Sequence, residues 1–219
     1  MNVRQRPTLW AKPAAGYDRR WRRYERVTLS RLLASLQSER YRDVLDVGCG
    51  TGLLLEYLLA CNPRPRGVGI DQSREMLDIA RRRLAEYDVE LRPGEAERLP
   101  VADCSMDLVT LASVLHYVKR PSAVCAEARR VLRPGGTLAI VDYVPRGVGG
   151  VDFGSVADGL IRLYDHGHVR SRRPAELRAI LAHTDLRVAR FQSFPIDFTC
   201  DGVLAIARLY SLPAALPLL

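Results

Sequence analysis

One short stretch limits this chain more than any other. Asp43-Val-Leu-Asp-Val47 has the apolar, β-branched character of a buried strand, and it runs without a linker into Gly48-Cys-Gly-Thr-Gly52. An apolar segment through Ala60 follows at once, and Asn62, Pro63 and Pro65 end it. A strand, a glycine turn and a helix in direct succession form the opening of a βαβ unit. Glycines at alternate positions permit positive φ and let a ligand approach the backbone with no Cβ in the way. The helix N-terminus behind such a turn favours an anionic group.

The rest of the chain continues that rhythm. Gly67-Val-Gly-Ile-Asp71 reads as a second strand, with Ser73 as the cap of a helix whose face is Met76, Leu77, Ala80, Leu84 and Tyr87. Val89 to Leu91 and Asp107 to Leu111 read as the third and fourth strands. A helix after Pro121 stops at Arg133-Pro-Gly-Gly136, and Thr137 to Val144 is the fifth strand. Short apolar strands alternating with helices predict a parallel sheet covered on both faces. After Val144 the rhythm breaks. Residues 145–172 hold six glycines, a candidate helix from Ser155 to Tyr164 and the polar run Asp165-His-Gly-His168. A helix from Pro174 and strands at 186–191 and 203–209 then complete the sheet, and residues 212–219 form an apolar, proline-broken tail.

Ahead of the sheet, Tyr17, Trp21, Tyr24, Val27, Leu32, Leu33 and Leu36 recur near the helical period, with arginines filling the other face. Residues 1–42 carry ten Arg and one Lys against three acids, a net of +8, which equals the formal charge of the whole chain. Residues 43–219 are neutral, so the excess belongs to the N-terminal arm and helix. That distribution reads as a solvated helix face rather than a phosphate-binding surface, and nucleic acid is not the expected partner.

A dinucleotide fingerprint starting from Gly48 requires Gly or Ala at position 53, where Leu53 stands; the third glycine arrives one residue early. This weakens a nicotinamide-dependent oxidoreductase reading. The spacing D-x-G-x-G-x-G over Asp46 to Gly52 instead resembles motif I of the class I S-adenosylmethionine-dependent methyltransferases, of the type 11-like group. Asp71 resembles that family's ribose-binding acid, a role suited to a carboxylate that accepts from two hydroxyls. Gln72 and Met76 match positions flanking the adenine, and Glu95 and Ala96 match its edge. Ser105-Met-Asp-Leu-Val109, Leu111 to Val118 and Val131-Leu-Arg-Pro-Gly-Gly136 match later motifs, so the likeness is close over 43–144 and loose elsewhere.

The resemblance implies an α/β, doubly wound, mostly parallel seven-stranded sheet of order 3-2-1-4-5-7-6, with helices on both faces and an N-terminal helical cover. It implies residues 1–40 as basic arm and cover helix, 41–211 as the catalytic domain with a substrate-covering insertion at 145–172, and 212–219 as the tail. S-adenosylmethionine is the implied cofactor, held by Asp46, Gly48, Cys49, Gly50, Gly52, Asp71, Gln72, Met76, Glu95, Ala96, Ser113 and His116. The implied reaction is methyl transfer to an O, N or C nucleophile of a small-molecule acceptor; RNA or another macromolecule is the alternative acceptor.

His116 is the first candidate base and Tyr17 the second, with Asp18 and His168 behind them. Cys49 reads as a space-filler, and His166, His168 and His183 as loop or surface residues with no metal-ligand spacing. Five cysteines without paired spacing predict free thiols and a cytoplasmic setting, and their scatter argues against arsenite as acceptor. No apolar run approaches the ~20 residues of a membrane span. A monomer or homodimer is expected.

Overall fold

The computed structural model describes residues 16–37, 39–60, 65–145, 158–159, 161–163, 167–197 and 199–210. The elements in chain order are α1 (Tyr17–Leu36), β1 (Asp43–Val47), α2 (Leu53–Leu59), β2 (Arg66–Asp71), α3 (Arg74–Arg83), β3 (Val89–Pro93) and β4 (Met106–Ala112). They continue with a 3-10 turn (Leu115–Tyr117), α4 (Pro121–Val131), β5 (Leu132–Pro145), α5 (Pro174–Ala182), β6 (Leu186–Pro195) and β7 (Cys200–Leu209). The strands form one sheet of order β3-β2-β1-β4-β5-β7-β6. All pairs are parallel except those of β7, which runs antiparallel to β5 and β6.

Alternation along the strands sorts the residues into two layers. Leu45, Val47, Val109, Leu111, Leu138 and Ile140 pack with Val124, Ala128 and Val131 of α4 and Leu177 and Leu181 of α5. Their neighbours Val44, Leu108, Ala139 and Val141 pack on the opposite face with Leu29, Leu32 and Leu36 of α1, Leu55 and Leu58 of α2, and Leu77 and Ala80 of α3. Each central strand is apolar on both sides because both sides are covered.

Ser73 caps α3 as its type and position predict, its Oγ accepting from the Met76 N–H at 3.2 Å. Three strands run longer than the sequence suggests: β5 starts at Leu132, β6 reaches Pro195 and β7 starts at Cys200. The antiparallel register from Thr137↔Arg208 to Pro145↔Cys200 draws polar and proline residues into the ladder that local propensity leaves outside it. The expected arm 1–15, most of the expected insertion 145–172, half of the helix at 155–164 and the tail 212–219 lie outside the described residues; the described residues 158–159 and 161–163 of that helix are helical.

α1 is divided between the core and the expected cover. Its second half belongs to the core, with Leu32 fully buried and Leu29 and Leu36 nearly so. Only its first half, carrying Tyr17, Trp21 and Tyr24, extends over the open end of the sheet. The chain runs from β1 outward to β3 and returns to β4 on the other side of β1. That reversal leaves a crevice beyond the carboxyl ends of β1 and β4, where open α/β sheets bind ligands.

Candidate active site

The glycine loop folds back on β2. The N–H groups of Gly48 and Cys49 both donate to the Ile70 carbonyl, at 2.7 and 3.0 Å. Gly50 N–H donates to Asp71 Oδ2 at 2.9 Å, while Asp71 Oδ1 accepts from Ser73 N–H at 2.8 Å. One carboxylate thus ties the loop to the start of α3. Burial pushes the Asp71 carboxyl up from its ordinary range, against the lowering effect of those two N–H donors.

The three loop glycines all have positive φ but serve different purposes. A Cβ on Gly48 would meet Val114 Cγ2 at 2.6 Å, and one on Gly52 would meet Leu84 Cδ1 at 2.9 Å and Ala80 Cβ at 3.2 Å. A Cβ on Gly50 would meet nothing within 4 Å, because that position opens on the crevice. Gly52 is therefore required by the packing of α3 against the loop. Cys49 turns inward: a Cβ on Gly69 would meet its Sγ at 2.9 Å beside Leu91 and Leu55, and burial pushes its thiol well up. Asp46 lies beneath the loop, buried, with Thr110 Oγ1 donating to it at 2.6 Å. Desolvation raises its carboxyl to about 7 despite that bond, and the nearby Asp71 adds to the effect.

Two cavities meet at this end of the sheet. The crevice, of about 770 Å³, is lined by Gly48, Gly50, Asp71, Gln72, Met76, Glu95, Ala96 and Ser113 among others. Of the residues expected at the cofactor, Asp46, Cys49, Gly52 and His116 do not line it. The second cavity is a chamber of about 350 Å³, walled by Tyr17, Trp21, Tyr24, Tyr117 and Tyr143, with Ser113 and His116 inside it. Tyr17, Ser113 and Tyr117 border both, and Tyr24 Oη lies 2.8 Å from Ser113 Oγ at the shared wall. Ser113 reaches that point at φ 61°, a strained value for a residue with a side chain.

His116 is buried in the chamber wall on the 3-10 turn, with Nδ1 2.6 Å from Asp142 Oδ1. The Asp142 carboxylate also accepts from the backbone N–H of His116 at 3.3 Å and of Tyr143 at 2.8 Å. A carboxylate on Nδ1 fixes the proton there and turns the Nε2 lone pair away from it, the arrangement of an oriented general base.

His168 corrects the surface-residue expectation. It is buried, with Nε2 2.7 Å from Asp158 Oδ1 and Nδ1 3.1 Å from the Tyr143 hydroxyl. Asp18, a weaker candidate base, is committed elsewhere: it accepts from Thr51 Oγ1 at 2.7 Å and pairs with Arg83, which also reaches the Thr51 carbonyl. This clamp holds the first turn of α1 on the glycine loop. Asp142, Tyr143 and Asp158 were not among the expected site residues. The first two end β5 at its carboxyl side, a place the rule for open α/β sheets already marks. Nothing local in the sequence marks Asp158. Among the described residues no group of three or more His, Cys, Asp or Glu is arranged to hold a metal ion, and no helix is long and apolar enough to cross a membrane.

The strand order, the antiparallel seventh strand and the glycine loop at the switch point define the Rossmann-like fold of the class I methyltransferases. Residues 45–140 match the family described as a methyltransferase domain. A ubiquinone/menaquinone biosynthesis C-methyltransferase of Desulfotalea psychrophila is 35% identical over 130 residues, 59% of this chain and 50% of that protein. A malonyl-[acyl-carrier protein] O-methyltransferase of Hahella chejuensis is 42% identical over 100 residues, 44% of this chain and 35% of that protein. The chain thus spans half or less of the length of these curated relatives. Among solved structures, the YcgJ protein of Bacillus subtilis superposes with a TM-score of 0.72 over 85% of this chain and 99% of that one, at 19% identity. An S-adenosylmethionine-dependent methyltransferase of Aquifex aeolicus gives 0.56 over 75% and 81%, at 26% identity.

S-adenosylmethionine is the group this fold family implies, and the crevice suits it. The open position at Gly50 receives a ligand against bare backbone, Asp71 offers carboxylate oxygens for hydroxyl groups, and Met76 and Ala96 supply apolar walls. Charges of both signs line the crevice, negative at Asp71, Glu95 and Glu97 and positive at Lys119 and Arg120.

Proposed function

We propose that this protein transfers the methyl group of S-adenosylmethionine to a hydroxyl oxygen of a small, largely apolar acceptor held in the aromatic chamber. The observation that carries the reading is the chamber itself, which shares Tyr17, Ser113 and Tyr117 with the crevice and contains the His116–Asp142 pair. The bound sulfonium supplies an already activated methyl group, so the protein's contribution is alignment and proton removal. A neutral amine needs no base, whereas a hydroxyl does; a His–Asp pair facing the chamber favours oxygen, with an acidified carbon second.

In this reading Gly50, Asp71, Gln72, Met76, Glu95 and Ala96 hold the cofactor, and Gly48 and Ser113 border it. Asp46, Cys49 and Gly52 support the loop from below. His116 Nε2 takes the acceptor's proton, and Asp142 stabilises the imidazolium that results. Tyr17 stands at the junction of the two cavities, where it orients rather than deprotonates. The relatives carry different names, a C-methyltransferase of ubiquinone/menaquinone biosynthesis and an O-methyltransferase of malonyl-[acyl-carrier protein] among them, so they support methyl transfer without choosing an acceptor. A relative in Halobacterium salinarum is named an arsenite methyltransferase, but of the described cysteines only Cys200 lines the chamber.

The exposed arginines of α1 point away from the chamber and support a solvated face, which leaves RNA or another macromolecule as the weaker reading. Free thiols at Cys49, Cys104, Cys125 and Cys200 support a reducing, cytoplasmic setting. Isothermal titration with S-adenosylmethionine, S-adenosylhomocysteine and NAD tests the reading. Binding of the first two and not the third is expected; tight NAD binding with no response to the others would end it.

A further inference from the structure

The chamber carries a negative charge that the proposed reaction does not use. Asp197 lies in the turn between β6 and β7 and lines the chamber without bordering the crevice. Thr199 donates its N–H and its hydroxyl to Asp197 Oδ1, each at 2.7 Å, and Cys200 adds its N–H at 3.1 Å and its thiol at 3.6 Å. These donors, the Thr199 hydroxyl foremost, hold the carboxyl below the usual carboxylate range, so it is ionised near neutral pH. All four bonds go to Oδ1, and Oδ2 accepts from no described residue. No Lys or Arg stands among the described residues that line the chamber, so nothing there balances the charge. The aromatic wall points the same way. Tyr17, Trp21, Tyr24 and Tyr143 follow one another at interplanar angles of 49°, 73° and 88°. Rings set this way curve around a space instead of bounding a parallel slot, the arrangement that addresses a compact cation from several sides. The local field is negative as well: the Tyr24 hydroxyl is held well above its ordinary value, by burial first and then by the charge of Asp142.

We infer that the acceptor carries a protonated amine besides its reacting hydroxyl, and that Asp197 and the aromatic wall receive this ammonium group. The substrate class is then a hydroxylated amine bound as its cation. An ammonium nitrogen has no lone pair and cannot take the methyl group, so it serves as a handle while the hydroxyl at His116 stays the site of transfer. This rests on the chamber as the acceptor's site. A chamber that selected by apolar contact alone would give the opposite ranking, because an ammonium leaves water at a cost that a neutral alkyl group does not meet.

The test titrates the full chain, saturated with S-adenosylhomocysteine, with three phenols of similar shape near neutral pH: cationic tyramine, neutral 4-ethylphenol and anionic 3-(4-hydroxyphenyl)propionate. Tyramine should bind tighter than 4-ethylphenol by roughly 5- to 50-fold, the joint range for a cation over aromatic faces and a half-exposed ion pair, and the carboxylate should bind weakest. Asp197→Asn keeps an oxygen for the Thr199 and Cys200 donors and removes the charge. It should bring the tyramine preference down to about threefold or less, the part that the rings supply. Equal affinity of both proteins for S-adenosylhomocysteine verifies the fold, since Asp197 does not line the crevice. If tyramine binds no tighter than 4-ethylphenol, or if its preference survives Asp197→Asn undiminished, the inference is refuted while binding of 4-ethylphenol keeps the chamber as the acceptor's site. Label from methyl-labelled S-adenosylmethionine found on the tyramine nitrogen would refute the amine as a handle. If none of the three phenols binds, the reading of the chamber itself falls and takes this inference with it.

Discussion

The two glycines at positions 50 and 52 allow the loop's two duties to be separated by experiment. Both have positive φ, +52° and +82°, so alanine at either brings a left-handed backbone penalty of about 1–2 kcal/mol. At Gly52 the new Cβ also meets Leu84 Cδ1 at 2.9 Å and Ala80 Cβ at 3.2 Å. Leu84 and Ala80 are buried, so neither yields without moving α3. Overpacking of this kind adds about 1–3 kcal/mol. Gly52→Ala should therefore lose roughly 2–5 kcal/mol of stability in total, by those two contributions. Gly50→Ala meets no protein atom and should lose only the backbone part, yet it places a methyl group in the crevice. Its affinity for S-adenosylhomocysteine should fall by about tenfold or more, the equivalent of about 1.4 kcal/mol of lost contact or steric conflict. Urea unfolding of both variants beside titration calorimetry reads the two quantities independently. A Gly50→Ala protein that binds like the wild type refutes the placement of the ligand against that backbone. A Gly52→Ala protein as stable as Gly50→Ala refutes the packing argument.

Three further outcomes follow from the site. His116→Gln should lower kcat by roughly 10²- to 10⁴-fold, the usual worth of a positioned base, while S-adenosylhomocysteine affinity stays put because His116 does not line the crevice; a parallel loss of affinity would contradict this. The Asp46 carboxyl is raised to about 7 in the fold. Its contribution to stability is complete below the unfolded value of about 4, declines as pH climbs toward 7 and is flat above that. Asp46→Asn should remove this slope, gaining on the wild type by a few kcal/mol at most between pH 4.5 and 8 in chemical denaturation, and a pH-independent difference would exclude it. Arg83→Met should break the clamp with Asp18 and Thr51 and speed amide exchange in residues 17–27 several-fold, as expected for a half-buried ion-pair network worth ~1 kcal/mol, while residues 29–36 stay protected; unchanged exchange in 17–27 would show that the aromatic wall is held by packing alone.

Much of the fold was legible because its determinants are local. Asp43 to Gly52 states strand, turn and helix in consecutive residues, and the alternation Val44/Leu45 or Leu108/Val109 announces a sheet apolar on both faces. The crevice was legible for the same reason, since Gly48, Gly50 and Asp71 sit at the ends of adjacent strands, and neighbouring strands bring their ends together without further instruction. The chamber depends on contacts between residues far apart in the chain. His116 is oriented only because Asp142, at the end of β5, comes within 2.6 Å of it, and neither residue type nor spacing encodes that meeting. His168 reads as a polar loop residue, yet the fold buries it between Asp158 and Tyr143, where the low dielectric makes an unpaired imidazole costly and a paired one directional. Periodicity thus determined the alternating strands and helices of a parallel sheet and backbone freedom the glycine loop, while the strand order and the cofactor followed from the family resemblance. Tertiary packing decided which part of α1 is core and which is wall, and which histidine lines the chamber, because burial and partner distance exist only once the strands are assembled.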